Sequence, residues 1–379
     1  MLDLRAEYQY MKADIDAAIA KCLEHQKWIL GPEVRDLEDR MAEYLGVKHC
    51  IGASSGTEAL VLSLRAQAIM RKGQEYFSRE DEVITTPFTF TATGDAILRS
   101  GATPVFVDID PVTYNIDYRK IRKYLVSSAG SKVVGIIPVH LYGQASDMDE
   151  ILDIAREYNL FIVEDVAQAF GGMWKGRKLG SLGTAGAFSF FPSKNLGGFG
   201  DAGMVSTNDS EVAEIAGMLL KHGGKDKYNV DHIGYNARMD TLQAAILLAK
   251  LKHIDEFNER RREIAHTYSA GFSGLTELMP PVVAPSVHHV FHQYTVMTER
   301  RDDLQLHLRE RGIATMVYYP YPLHVMKVFG KGNSTSADDL PNSACAAACV
   351  LSIPIGPLQT HEDTVYVIDN IREFFSGKS

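Results

Sequence analysis

Short apolar runs alternate along the chain with longer amphipathic stretches. Strands are predicted at 82–86, 104–108, 133–139, 161–165, 186–191 and 204–207. These runs are continuous rather than alternating, the pattern of strands covered on both faces. Between them, apolar positions recur at helical spacing near 57–71, 91–99, 117–126, 147–158 and 209–221. Such strand–helix alternation predicts an α/β domain with a largely parallel sheet. A long helical pattern from about Thr241 to Tyr268 then leads out of that domain, apolar over Ala244 to Ala249 and charged over Glu259 to Glu263. It predicts a division into residues 1–245, an N-terminal arm and large domain, and 246–379, a smaller C-terminal domain. No internal repeat is evident. The polar stretches 72–80 and 330–336 are expected to be exposed loops.

Composition narrows the function classes. A chain of 379 residues is too long for one small core, and 45% hydrophobic with 23% charged residues is ordinary for a globular protein. The net charge of −9 argues against nonspecific binding to nucleic acid or anionic membranes. It leaves room for a phosphorylated small molecule held by local donors. Asp3 and Glu7 interrupt the N-terminus, which lacks the apolar core of a signal segment. No apolar stretch has the length of a membrane span, so a cytoplasmic protein is expected. Cys22, Cys50, Cys345 and Cys349 are scattered apart from the last pair at i,i+4, and are expected to be buried, reduced thiols rather than disulfides or a metal site.

The chemistry centres on Lys194, in the run Phe188-Ser189-Phe190-Phe191-Pro192-Ser193-Lys194-Asn195-Leu196-Gly197. Aromatic and small residues flank it, not other charges. Upstream, Asp165 closes the apolar run that begins at Leu160. A pyridoxal phosphate enzyme needs this pair: an amine to form the Schiff base, and a carboxylate to keep the pyridine nitrogen protonated. Ala53-Ser54-Ser55-Gly56-Thr57-Glu58-Ala59-Leu60 opens a helical pattern whose free N–H groups and dipole suit an anion. Ser55 and Thr57 add hydroxyls. Alone, the segment is better explained as an ordinary N-cap; beside Lys194 and Asp165, the phosphate reading is the stronger. Ser189 offers a further hydroxyl. Gly198-Phe199-Gly200-Asp201-Ala202-Gly203 matches G-x-G-x-x-G, but a dinucleotide site needs a helix after it, and 204–207 is a strand pattern. These glycines are expected to let backbone turn close to a group attached to Lys194.

Taken in order, these motifs resemble the sugar aminotransferases of the DegT/DnrJ/EryC1/StrS family. The resemblance runs from Trp28-Ile29-Leu30-Gly31-Pro32-Glu33-Val34 through Ser55 to Leu60, Pro87 to Thr93, Asp165 to Gln168, Gly180 to Gly183, Phe191 to Gly203, Gly234 to Ala245 and Tyr318 to His324, to Leu351-Ser352-Ile353-Pro354. It implies a fold-type I pyridoxal phosphate enzyme of the aspartate aminotransferase kind, cycling between pyridoxal and pyridoxamine phosphate. By resemblance, Lys194 carries the cofactor and shuttles a proton, Asp165 pairs with the pyridinium, and Gln168 contacts the phenolic oxygen side. Ser55, Gly56, Thr57 and Ser189 belong to the phosphate site, and Phe90 lies against the ring. Asn236 reaches the phosphate of the neighbouring subunit, making a homodimer with shared sites. The alternatives are that Phe90 is core, that Gln168 ties down its own loop, and that Asn236 caps the helix after it.

For substrate, the resemblance points to Trp28, Ile29, Gly31, Arg238, Tyr319 and His324. Arg238 has the fork that suits phosphate oxygens, or serves a structural ion pair; Tyr319 and His324 can equally be packing residues. The form around Lys194 looks like members that aminate the 3-keto position of a nucleotide hexose, with UDP-linked 2-acetamido-3-keto sugars as acceptors and glutamate as donor, leaving 2-oxoglutarate. A dTDP-linked 3-keto-6-deoxyhexose or a 4-keto sugar is the alternative. The chain departs from the family pattern in its longer, charged 71–80 loop and in Ala169 after Gln168. A dehydratase relative would lack Lys194, a nicotinamide enzyme rests on the 198–203 glycines, and a regulatory protein on this scaffold has no need of Lys194, Asp165 and Ser189 together.

Overall fold

The computed structural model describes residues 2–226, 228–330 and 339–377. All but Gly330 of the loop predicted at 330–336 lies outside them. Seven strands form the central sheet: β1 His49–Ala53, β2 Glu82–Thr85, β3 Thr103–Phe106, β4 Val133–Ile136, β5 Phe161–Asp165, β6 Ala185–Ser189 and β7 Gly203–Thr207. Their order across the sheet is β1-β7-β6-β5-β4-β2-β3. From β6 to β3 all neighbours are parallel, while β7 runs antiparallel to both β1 and β6. The sheet is buried on both sides because helices cover both, which is why apolar residues stand at successive positions in its strands rather than at every second one.

Thirteen α-helices are found among the described residues. Three precede the sheet: α1 Leu4–Tyr10, α2 Lys12–His25 and α3 Pro32–Leu45. The crossovers supply α4 Gly56–Lys72, α5 Thr91–Arg99, α6 Tyr118–Leu125 and α7 Met148–Tyr158, followed by α8 Ser210–Leu219. One apolar cluster joins α4 and α8 to one face (Leu62, Val83, Val163, Val205, Leu219). Another joins α3 and α7 to the other (Leu37, Met41, Ile84, Ile136, Ile151).

The long helix expected from Thr241 to Tyr268 is two, α9 Thr241–Leu251 and α10 Ile254–Gly271, with a turn at Lys252 and His253. Neither residue breaks helices. The turn keeps Ile254 and Phe257 buried, and lets α9 pack on α2 and α3 while α10 packs on a C-terminal helix. The C-terminal part holds α11 Arg301–Glu310, α12 Pro341–Cys349, α13 His361–Ser376 and an antiparallel pair, β8 Tyr294–Met297 with β9 Val350–Ile353. Its apolar cluster begins at Ile264, whereas Leu247 still belongs to the cluster beneath α3, so position 245/246 falls inside α9. Cys22 and Cys50 are buried, but Cys345 is exposed on α12, contrary to the expectation of buried thiols. Among the described residues no helix is long and apolar enough to cross a membrane.

Candidate active site

The site forms where the carboxyl ends of β2, β5 and β6 meet the start of α4, the usual ligand position in an open α/β sheet. Asp165 ends β5 and is buried. Its Oδ2 accepts from Thr93 Oγ1 at 2.8 Å and its Oδ1 from the Ala167 N–H at 3.1 Å. Burial pushes its pKa upward, and these donors together with the charge of Lys194 offset only part of that. Lys194 follows β6 in a turn closed by its own N–H on the Phe191 carbonyl at 2.8 Å. Burial lowers its amine to about 8, against the opposing pull of Asp165. It is therefore a far better nucleophile near neutral pH than a solvated lysine.

The turn is fixed from behind. Asn195 donates to the Asn258 Oδ1 at 2.8 Å and the Val290 carbonyl at 3.1 Å, and its Oδ1 stands 3.0 Å from His292 Nδ1. All three of Asn195, Asn258 and His292 are buried. Sequence reasoning passed over this network, as it did Thr93, which lies two residues into α5.

The start of α4 abuts the end of β6. A Cβ on Gly56 would stand 2.6 Å from Ser189 Cβ, and one on Gly203 would stand 2.3 Å from the Ser55 carbonyl carbon. Only glycine allows these approaches. Ser55 caps α4, accepting from Glu58 N–H at 3.1 Å, which leaves the Gly56 and Thr57 N–H groups as the unpaired first donors of the helix. Ser189 stands against them. Helix N–H groups, a hydroxyl and the dipole make a cradle for a phosphate. With Asp165 at the end of β5 and Lys194 in the turn after the neighbouring strand β6, the residues present fit pyridoxal phosphate.

Gln168 is buried and bridges two neighbours: its Oε1 accepts from the Tyr142 N–H at 2.8 Å and its Nε2 donates to the Tyr319 hydroxyl at 2.7 Å. It thus ties its own loop to the C-terminal part and brings Tyr319 to the site. Phe90 immediately precedes α5, its ring centroid 6.2 Å from that of Tyr319. It is 58% exposed, which rules out the core alternative. His324 lies on a single 3-10 turn, Leu323–Val325, held by the Leu323 N–H on the Pro87 carbonyl. Its Nδ1 is buried with no hydrogen-bond partner among the described residues.

Asn236 and Arg238 sit beside the α4 start: Arg238 bridges to Ala53, and Ser54 N–H donates to the Ala237 carbonyl at 2.8 Å. Arg238 donates to the Asn236 side chain, and among the described residues no carboxylate pairs with it. Asn236 caps nothing, because Asp240 stands at the N-cap of α9. The segment at Trp28, Ile29 and Gly31 is zipped onto that same corner. Thr241 N–H donates to the Trp28 carbonyl at 2.8 Å, Gly31 N–H to Thr241 Oγ1 at 2.9 Å, and Ile29 bridges to Asp240. Trp28, Ile29 and Leu30 are half exposed there. The G-x-G-x-x-G run leads directly into strand β7 rather than into a helix, as the sequence predicts.

Comparisons with known proteins agree with this geometry. The model of the DegT/DnrJ/EryC1/StrS aminotransferase family matches residues 9–372. A Geobacillus stearothermophilus protein named as a pleiotropic regulatory protein is 43% identical over 99% of this chain and 98% of its own. A dTDP-3-amino-3,4,6-trideoxy-alpha-D-glucose transaminase of Streptomyces venezuelae is 41% identical, over 98% of this chain and 95% of its own. A UDP-N-acetyl-3-dehydro-alpha-D-glucosamine 3-aminotransferase of Acidithiobacillus ferrooxidans is 40% identical, over 100% of this chain and 98% of its own. Among solved structures, that of S. venezuelae DesV with a ketimine intermediate superposes with a TM-score of 0.93 at 39% identity, covering 99% of this chain and 97% of that one.

Proposed function

As the chain belongs to the DegT/DnrJ/EryC1/StrS aminotransferase family, we propose that it moves the amino group of L-glutamate to the 3-keto carbon of a UDP-linked 2-acetamido hexose. It is a pyridoxal-phosphate-dependent sugar aminotransferase, and the observation that carries the catalytic reading is Lys194, held at about 8 next to buried Asp165. The 40% identical UDP-sugar enzyme and the Phe-Pro-Ser-Lys-Asn-Leu-Gly form around Lys194 support the choice of sugar. The similarly close dTDP-sugar relative favours the second reading, a dTDP-linked 3-keto deoxyhexose. The regulatory name of the 43% relative is a third reading, against which the intact Lys194, Asp165 and Ser189 speak.

Bound pyridoxal phosphate supplies an electron sink, through which an amine is exchanged for a carbonyl. Lys194 holds the cofactor and carries a proton to and from the reacting substrate carbon with its Nζ. Asp165 would keep the proton on the pyridine nitrogen, Gln168 would face the phenolic oxygen, and Phe90 would cover the ring. Gly56, Thr57, Ser55 and Ser189 hold the phosphate, with Asn236 of a second copy of this chain completing a homodimeric site. Trp28, Ile29, Gly31, Arg238, Tyr319 and His324 receive the sugar and its diphosphate. The working protein is a cytoplasmic homodimer divided near 245/246 into a large and a small domain, serving synthesis of bacterial surface polysaccharide or lipopolysaccharide sugars. The test is a panel of UDP- and dTDP-linked 3-keto and 4-keto sugars with glutamate, with products identified by NMR. Turnover of dTDP sugars alone moves the assignment to the second reading; no turnover of any ketosugar by cofactor-loaded protein leaves the regulatory one.

A further inference from the structure

Arg65, on α4, is fully buried yet takes no part in the site just described. Its Nη1 donates to the Tyr235 hydroxyl at 2.6 Å, and its Nη2 to Glu75 Oε2 at 2.8 Å and the Ile233 carbonyl at 2.9 Å. Its Nε donates to the Glu75 carbonyl, and the guanidinium lies 3.7 Å over the Tyr76 ring. Glu75 uses both carboxylate oxygens. Oε1 faces His232 Nδ1 at 2.8 Å, and Oε2 also accepts from the Ile233 N–H at 3.2 Å. The stretch 72–80, expected from sequence to be a plain exposed loop, is therefore anchored: Phe77 is buried, and Glu75 and Tyr76 grip the run from His232 to Tyr235.

The residue after that run is Asn236. From the other side the same strand of chain is held by Tyr235 N–H on the Leu219 carbonyl at 2.7 Å and by Ala237 N–H on the Leu220 carbonyl at 3.1 Å. Gly234 fits there because a Cβ would stand 2.1 Å from the Gly223 nitrogen. The arm carrying Asn236 and Arg238 is thus clamped between α8 and the 73–80 loop. With Arg65 buried and Glu75 half-buried, the pair adds little net stability compared with apolar packing; what it adds is a defined arrangement of the segments it joins.

We propose that Arg65, Glu75 and His232 are positioning residues, through which the 73–80 loop sets the 232–238 arm so that Asn236 is presented to the cofactor phosphate bound by a second copy of this chain. This rests on the assignment of Asn236 to that phosphate. The test uses dialysed apoenzyme titrated with pyridoxal phosphate and followed by absorbance and by borohydride labelling of Lys194. Glu75→Gln keeps the shape but removes the charge, and should weaken cofactor binding about tenfold, as expected when one charge-assisted phosphate contact is misplaced. Asn236→Ala should weaken it at least as much. The double variant should bind no more weakly than Asn236→Ala, since the two changes remove one contact. A purely structural role would lower the unfolding midpoint of Glu75→Gln and give additive losses, which overturns the proposal, as does unchanged affinity in Glu75→Gln. If Glu75→Gln fails to fold, His232→Ala, which spares the Arg65–Glu75 pair, is put through the same cycle. Wild-type protein that takes up no pyridoxal phosphate sinks the aminotransferase reading and this inference with it. Uptake that Asn236→Ala weakens and Glu75→Gln and His232→Ala do not sinks the inference alone.

Discussion

Gly56→Ala tests the junction on which the phosphate site depends. The added methyl carbon would stand 2.6 Å from Ser189 Cβ and 3.0 Å from Ser189 Cα. Carbon atoms in contact prefer about 3.5–4.0 Å, so the helix start or the strand end must yield by roughly 1 Å. Neither side is free to do so. Ser189 pairs with Gly203 in the β6–β7 ladder, and Gly203 is itself packed against the backbone of Ser55 and Gly56. Overpacking of this kind costs about 1–3 kcal/mol. The strain should lower the unfolding midpoint of the apoenzyme. It should also move the Gly56 and Thr57 N–H groups off the phosphate. Losing one charge-assisted hydrogen bond of about 1.5–3 kcal/mol weakens cofactor binding by roughly ten- to a hundredfold. Apoenzyme titrated with pyridoxal phosphate, with thermal unfolding in parallel, measures both effects. Adding Ser189→Gly removes the opposing methylene, and should restore the midpoint but not the affinity, because the hydroxyl is gone. Wild-type affinity in Gly56→Ala would show that the phosphate does not sit where α4 meets β6.

Borohydride reduction of the loaded enzyme should place the cofactor label on Lys194, and Lys194→Ala should fold but not turn over; a label on another lysine refutes the site. Because the Lys194 amine is lowered to about 8, it is protonated below that value and free above it. The rate of cofactor attachment to apoenzyme should therefore rise with pH and level off just above 8, where an ordinary lysine would still be climbing; a rate still rising at pH 10 contradicts the burial argument. Asp165→Asn removes the charge that holds that pKa up, so the plateau should begin at lower pH, and the half-reaction with glutamate should slow by orders of magnitude while cofactor is retained. Lys194→Ala and Asn236→Ala proteins, each impaired alone, should regain activity when mixed under conditions of subunit exchange; full exchange without recovery places Asn236 in its own subunit's structure.

Much of the sheet was legible because its strands are sealed on both faces and so carry apolar residues at successive positions rather than at every second one. β5 is buried at every position and is read directly as Phe161 to Asp165. The helices before it were missed for a different reason. α3 carries Val34, Leu37, Met41 and Leu45 at helical spacing, but it stands outside the strand–helix alternation that marks the α/β domain. The break at Lys252 and His253 has no glycine or proline to announce it; it comes from α9 and α10 packing against different partners. In the site, Lys194 and Asp165 could be picked out by residue type and flanking pattern. Thr93 and the Tyr142 N–H could not, because the sheet sets β4 between β5 and β2 and puts β3 at the edge, an order that the chain order does not reveal. The 72–80 loop looked featureless because its partners, Arg65 and the 232–235 run, are remote in sequence.

Two adjacent carboxylates at the end of β5 show why one is structural and the other chemical. Successive strand residues face opposite sides of the sheet, so Glu164 and Asp165 meet different surroundings although both are buried. Glu164 accepts from the Gly180 N–H at 2.9 Å, the Leu182 and Gly183 N–H groups at 2.8 Å each, and stands 3.1 Å from His140 Nε2. The Ser146 N–H occupies His140 Nδ1 at 3.1 Å, so in the neutral ring it is Nε2 that carries the proton and donates to Glu164. Four donors saturate that carboxylate, roughly one for each lone-pair site. Glu164 therefore fastens the 180–183 loop beneath the sheet and has nothing left to offer a ligand. Asp165 has two donors, Thr93 Oγ1 and the Ala167 N–H, and burial drives its pKa upward. A buried carboxylate short of donors gains most from a cationic N–H, and a protonated pyridine nitrogen is such a group. Placing that cation against Asp165 would return the carboxylate to its charged form, and by the same coupling would keep the proton on the ring. The pair on β5 thus divides the work by hydrogen-bond count: the residue with four partners builds the site, and the one with two acts in it.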